Sequence, residues 1–149
     1  MSKFPPVEKL VPHAGPMVLL DEVCEHSDEH IACRVKVRAD GLFDSGGAVP
    51  SWLGIEYMAQ AVAAFSGYAA RLRGENVKIG FLLGTRRFET SAASFTCGET
   101  VTVRARQVVL AGGGMSAFEC AVSGKHIEQR AMLSVYEPDE ENPILESDR

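Results

Sequence analysis

The run from Trp52 to Ala70 constrains this chain most: its only strongly polar residues are Glu56, Gln60 and Ser66. Pro50 precedes it, and Ser51 is placed to cap a helix by accepting from an exposed amide two or three residues on. A helix apolar on every side must be surrounded by protein or by lipid. Its 19 residues approach a membrane span. Glu56 in a bilayer would cost about 3 kcal/mol even on the lenient insertion scale, with Gln60 one turn later. The expectation is therefore a helix wrapped by sheet, with Arg71 and Arg73 in an exposed last turn that suits the helix dipole.

The flanks supply that sheet. Met17 to Cys24 reads as a strand, and Glu29 to Arg38 alternates Ile31, Cys33, Val35 and Val37 against Ala32, Arg34, Lys36 and Arg38. Ser27-Asp28 between them is a turn, which predicts a hairpin. Residues 39 to 50, with three glycines and a terminal proline, read as a loop. Beyond Gly74, Val77 to Phe88 predicts a strand, TSAASFTCG a polar link, and Thr100–Arg106, Met115–Ser123 and Ile127–Tyr136 three more strands. Gly112 to Gly114 and Ser123-Gly124-Lys125 supply the turns. Two strands, one long helix and four strands make an α+β chain whose antiparallel sheet curls round the helix, most simply a hot-dog domain over residues 1–137. Such a sheet ends in an exposed edge that dimers remove by pairing edge to edge.

The net charge of −5 belongs wholly to the C-terminal stretch. Residues 138–149 are an acidic, proline-punctuated tail, and with Glu137 they carry six acids against Arg149. The remaining domain is neutral, which argues against nucleic acid as a partner. Arg71, Arg73, Lys78, Arg86 and Arg87 oppose only Glu75, a local excess that is either a solvated rim or a dock for an acidic protein. The opening MSKFPPVEKL has no apolar core of a secretory leader, so a cytoplasmic protein is expected. Cys24, Cys33, Cys97 and Cys120 are far apart without metal-ligand spacing and read as reduced core residues.

Glu56 is expensive to bury unless it is paired, protonated or used. It either satisfies buried backbone groups near the positive helix end or serves as an acid or base of raised pKa beside amides able to polarise a carbonyl oxygen. Gln60, four residues on, shares its helical face. His13 either titrates near neutrality or is a structural hydrogen-bonder, whereas His26, His30 and His126 lie at turns and read as solvated. Serine-nucleophile, phosphate-loop, dinucleotide and zinc-protease motifs do not occur in the sequence.

Leu10–Val23, LVPHAGPMVLLDEV, resembles the opening of the β-hydroxyacyl-(acyl carrier protein) dehydratases. Pro50–Gln60, PSWLGIEYMAQ, resembles their central-helix signature, with Arg87-Phe88 and Cys97-Gly98-Glu99 as supporting matches; the similarity spans residues 8 to 136. It implies a hot-dog dimer with a tunnel at the subunit interface, receiving an acyl chain on the phosphopantetheine arm of acyl carrier protein. A histidine of one subunit and an acidic residue of the other would remove water from a 3-hydroxyacyl thioester. The acidic residue maps onto Glu56, but the glycine-histidine-phenylalanine motif falls on Gly41-Leu42-Phe43, and leucine cannot abstract a proton. The closest resemblance is to divergent dehydratase-like members of aryl polyene pigment clusters, which accompany a second dehydratase of the superfamily. The implied function is a dehydratase-type subunit of fatty-acid or aryl-polyene synthesis, with no cofactor or metal of its own, in a homodimer or completed by a paralogous partner. Glu56 and either His13 or the partner's histidine would be the catalytic pair. Gln60, Leu42, Phe43, Pro50, Ser51, Trp52 and Leu53 would line the substrate, and Arg86, Arg87, Arg71 and Arg73 would dock the carrier protein. A thioesterase using Glu56 and a non-catalytic structural subunit are the alternatives.

Overall fold

In the computed structural model, residues 4–13, 15–38, 47–76 and 80–138 are described. Strand β1, Glu22–His26, and β2, His30–Lys36, form the expected hairpin about Ser27-Asp28. After β3, Ala48–Pro50, the helix α1 runs Leu53–Leu72. Then come β4, Phe81–Thr90, β5, Ser94–Thr96, β6, Thr100–Leu110, β7, Met115–Ser123, and β8, Glu128–Tyr136. The main sheet is antiparallel in the order β1-β2-β6-β7-β8-β4, and β3 pairs with β5 in a separate two-stranded sheet. This is the expected helix cradled by a curved antiparallel sheet.

Register explains the core. Side chains alternate across a strand, so partners in register stack into rows on one face. Ile31, Ala105, Cys120 and Ala131 form one row across four strands, and Cys33, Val103 and Val122 form the next. All seven are buried, and α1 packs on this face through contacts with β2, β6, β7 and β8. Phe118, in the row beyond, meets Phe65 of the helix edge-on at 5.6 Å, adding the directional attraction of an aromatic pair to its area burial. The opposite face presents Arg34, Lys36, Arg104 and Arg106 to solvent.

Several expectations need correction. Met17–Asp21 is not strand: Gly15–Met17 is a 3-10 turn, and β1 begins at Glu22. Leu19 and Leu20 are buried there all the same, because they cross the helix rather than join the sheet. The link after β4 holds β5, whose Phe95 is wholly buried and packs on Tyr57 at 5.3 Å; one apolar residue among small polar ones hid this strand. Of the cysteines, Cys33 and Cys120 are buried, but Cys24 and Cys97 are half-buried. His26 is not solvated; its ring lies 4.5 Å from Tyr68 and 5.2 Å from Phe65.

Candidate functional site

The N-terminal segment lies along α1 as a strap. Near the C-terminal half of the helix, Phe4 meets Tyr68 edge-on at 5.4 Å, and the Leu10 carbonyl presses on Gly67, where a Cβ would come within 2.0 Å of that oxygen. Only glycine lets backbone and helix approach so closely. Toward the other end the strap reaches Gln60, which is wholly buried. Gln60 Nε2 donates to the Met17 carbonyl at 2.7 Å, and its Oε1 accepts from the Leu19 amide at 2.9 Å. Those two bonds satisfy backbone groups that have left the sheet, as burial demands.

The remaining Gln60 donor goes to Glu56. Gln60 Nε2 lies 2.9 Å from Glu56 Oε2, the contact expected from their spacing of four. The same Oε2 lies 3.2 Å from His13 Nε2. The strap therefore brings His13 and Glu56 together within one chain, across 43 positions of sequence. Their side chains are 27% and 36% exposed, so a ligand can reach the pair. His13 Nδ1 is buried without a hydrogen-bond partner among the described residues. Tyr57, next to Glu56, is held neutral: burial pushes its hydroxyl up to about 12.

The other predicted site residues divide. Ser51 does not cap α1 with its side chain; Trp52 occupies the cap position, and its side chain makes no capping hydrogen bond either. The Ser51 amide is spent on the Ala93 carbonyl at 3.0 Å, so it cannot stabilise a substrate oxygen. β3 and β5 deliver the chain into the helix at a fixed point, which leaves a capping hydroxyl unnecessary. Leu53 is buried, Pro50 is half-buried, and Trp52 is 57% exposed at the mouth of the helix. Leu42 and Phe43 lie outside the described residues. The arginines expected to dock a carrier sit on two elements, Arg71 and Arg73 at the end of α1, Arg86 and Arg87 on β4. Arg73 is paired with Glu75 at 3.0 Å. Arg87 lines an open groove of about 770 Å³ with Arg104, Arg106 and Arg130, on the sheet face opposite Glu56. Acids interleave there: Glu119 pairs with Arg106, and Glu89 stands opposite Arg130 in register.

One feature had no sequence signal. Gln129 of β8 is buried, yet follows Cys33, Val103 and Val122 in a core row. A lone glutamine in a short alternating strand gives no hint of which groups it will meet. Among the described residues no three His, Cys, Asp or Glu side chains gather as a metal site requires, and no helix is long and apolar enough to cross a membrane.

A curved antiparallel sheet around one helix, with an acid on the helix's first turns, defines a hot-dog protein with a helix-borne carboxylate site. The chain belongs to the ApeP-like family of dehydratases, whose model matches residues 5–146; it is a dehydratase-type hot-dog subunit, a lyase by class. It is similar to the dehydratase heterocomplex ApeI:P from Xenorhabdus doucetiae, at 30% identity and a TM-score of 0.88 over 99% of this chain and 100% of that one. Weaker likeness, of fold alone, extends to a hypothetical thioesterase with coenzyme A from Streptococcus pneumoniae, at 10% identity and a TM-score of 0.60 over 78% and 84% of the two chains. It extends also to a mutant of the phenylacetic acid degradation protein PaaI from Thermus thermophilus, at 19% identity and a TM-score of 0.57 over 79% and 92%. No curated protein matches the chain.

Proposed function

We propose that the chain dehydrates 3-hydroxyacyl thioesters presented on the phosphopantetheine arm of acyl carrier protein, in fatty-acid or aryl-polyene synthesis. It does so beside a second hot-dog subunit and without a cofactor of its own. The observation that carries this reading is the 3.2 Å contact between His13 Nε2 and Glu56 Oε2, with Gln60 holding the carboxylate from below. An acid and a base side by side can serve both ends of a β-elimination. His13 takes the proton from C2, the C2–C3 double bond forms, the C3–O bond breaks, and Glu56 gives its proton to the departing hydroxyl, which leaves as water. Proton transfer from His13 to Glu56 across their contact resets the pair. The same contact favours His13 over a partner's histidine as the base, in place of the histidine that Leu42 lacks. The partner subunit then closes the acyl site, as the similarity to a heterocomplex suggests.

The chain purified alone and with its hot-dog partner, given 3-hydroxyacyl carrier protein, tests this. Formation of the 2-enoyl thioester should fall by about 10²–10⁴ in kcat in both His13→Ala and Glu56→Gln. Loss in Glu56→Gln alone would return the base to the partner. Release of free thiol in place of enoyl product would make the protein a thioesterase, and unchanged turnover in both variants would make Glu56 structural.

A further inference from the structure

Gln129 is the polar intruder in the core. The row that runs Cys33, Val103, Val122 across β2, β6 and β7 continues with Gln129 on β8 and ends at Thr90 on β4. Burying an amide there costs about 1–3 kcal/mol for each polar group left unpaired, and an apolar side chain of the same volume would avoid that cost. Its contacts indicate what the amide does. Nε2 donates to the Ser51 carbonyl at 2.8 Å and to Thr90 Oγ1 at 3.1 Å, using both of its hydrogens. Oε1 is buried with no hydrogen-bond partner among the described residues and lies against Gly54, whose Cβ, if it had one, would sit 1.7 Å from that oxygen.

These contacts converge on the origin of α1. The Ser51 carbonyl also accepts from the Gly54 amide at 3.0 Å, the bond that starts the first turn, while the Ser51 amide is tied to Ala93. The first turn, with no side-chain cap, is thus fixed to the sheet through Gln129 and through the 91–93 link. Glu56 lies five residues past Ser51, about 7.5 Å along the axis at 1.5 Å per residue. His13 belongs to the strap, whose hydrogen bonds and closest backbone approach to the helix among the described residues fall at Gln60 and Gly67, beyond the first turn. The 3.2 Å gap between His13 and Glu56 therefore depends on where the first turn is held. Reacting groups are sensitive to this: a misplacement of about 1 Å can cost 10²-fold in rate.

We infer that Gln129 is a positioning residue for the dehydration: acting through Ser51 and Gly54, it sets the height and rotation of the first helical turn and so places Glu56 against His13. The inference rests on the reading of His13 and Glu56 as the reacting pair. Sequence proximity offers no route to it, because Gln129 is 73 positions from Glu56.

Three variants separate placing the turn from simply holding the fold. Gln129→Met keeps volume and removes both donors. Gly54→Ala pushes a methyl into Oε1, and Gly54→Ala combined with Gln129→Ala gives that methyl the vacated space. Expected for Gln129→Met, in the chain with its hot-dog partner, is a loss of about 10- to 100-fold in kcat with KM within about twofold, as for a group acting only in the transition state. The double variant should regain the melting temperature that Gly54→Ala loses while its kcat stays low. The His13 ring-nitrogen chemical shifts report the contact with Glu56 without turnover. They should move in Gln129→Met and in the double variant toward those of Glu56→Gln. Wild-type kcat and wild-type His13 shifts in a folded Gln129→Met, or kcat recovering with stability in the double variant, would overturn the inference. An inert wild type whose His13 shifts still respond to Gln129→Met would instead defeat the dehydration reading and leave the positioning intact. An inert wild type with unresponsive shifts would defeat both.

Discussion

His26 sits between the β1 end and the helix, its Nε2 3.3 Å from the Phe65 carbonyl and its ring between Phe65 and Tyr68. Burial lowers its pKa, outweighing the opposing pull of the Phe65 carbonyl; His30 lowers it further and Asp28 raises it. With the folded value below the unfolded one, near 6.5, the unfolded chain binds a proton first as pH falls. Stability tied to His26 is therefore intact above about pH 6.5 and is lost progressively as pH drops below that toward the lower folded value. Unfolding free energies measured from pH 8 to 5 should fall less steeply in His26→Phe, which keeps the ring packing and cannot charge. Equal slopes in the two proteins would show that His26 does not titrate on unfolding. At this scale Glu56 and Gln60 were legible from their spacing of four in an apolar helix. The partnership with His13 was not, since no periodicity links a residue of the strap to one 43 positions later. The burial of His26 was missed because a histidine beside a turn looks solvated until the helix is laid over it.

The strap and the helix form one unit, and Gly67 is its tightest point. A methyl there would meet the Leu10 carbonyl oxygen at 2.0 Å, so helix or strap must shift. Gly67→Ala should gain up to about 1 kcal/mol in helix propensity and still destabilise the protein by about 1–3 kcal/mol net, because overpacking dominates. Gly84→Ala, with nothing within 4 Å of its added Cβ, should stay within about 0.5 kcal/mol. Denaturant unfolding of both checks this, and equal midpoints would show that the strap yields freely. Strand positions were legible where alternation was strict, as in β2, β6 and β7. The strap was not: Val18, Leu19 and Leu20 satisfy the apolar pattern of a strand just as well against a helix. What decides between the two is the carbonyl and amide taken by Gln60, a tertiary contact.

At the scale of the molecule, the sheet among the described residues ends at two edges, the short β1 and the ten-residue β4. β4 exposes Leu82 at 45% and Leu83 at 54%, the longer and more apolar edge among the described residues. Edge strands of this kind pair with another chain unless something blocks them. Leu82→Asp with Leu83→Asp should change the stability of the isolated chain by no more than about 0.5 kcal/mol per site, since both are exposed. Assembly with a second hot-dog subunit should be lost, as read by light scattering after gel filtration. Assembly that survives would place the contact elsewhere. The edge has another property. Against β8, the register of β4 slips twice, between Leu82 and Gly84 and between Arg86 and Glu89, and within the second slip Arg87 takes a positive φ of 55°. Bulges twist a strand and interrupt its ladder. A strand broken twice in ten residues cannot serve as a flat template on which copy after copy stacks into a fibril. Protection against runaway polymerisation is thus built into the backbone of the very strand that leaves its leucines uncovered.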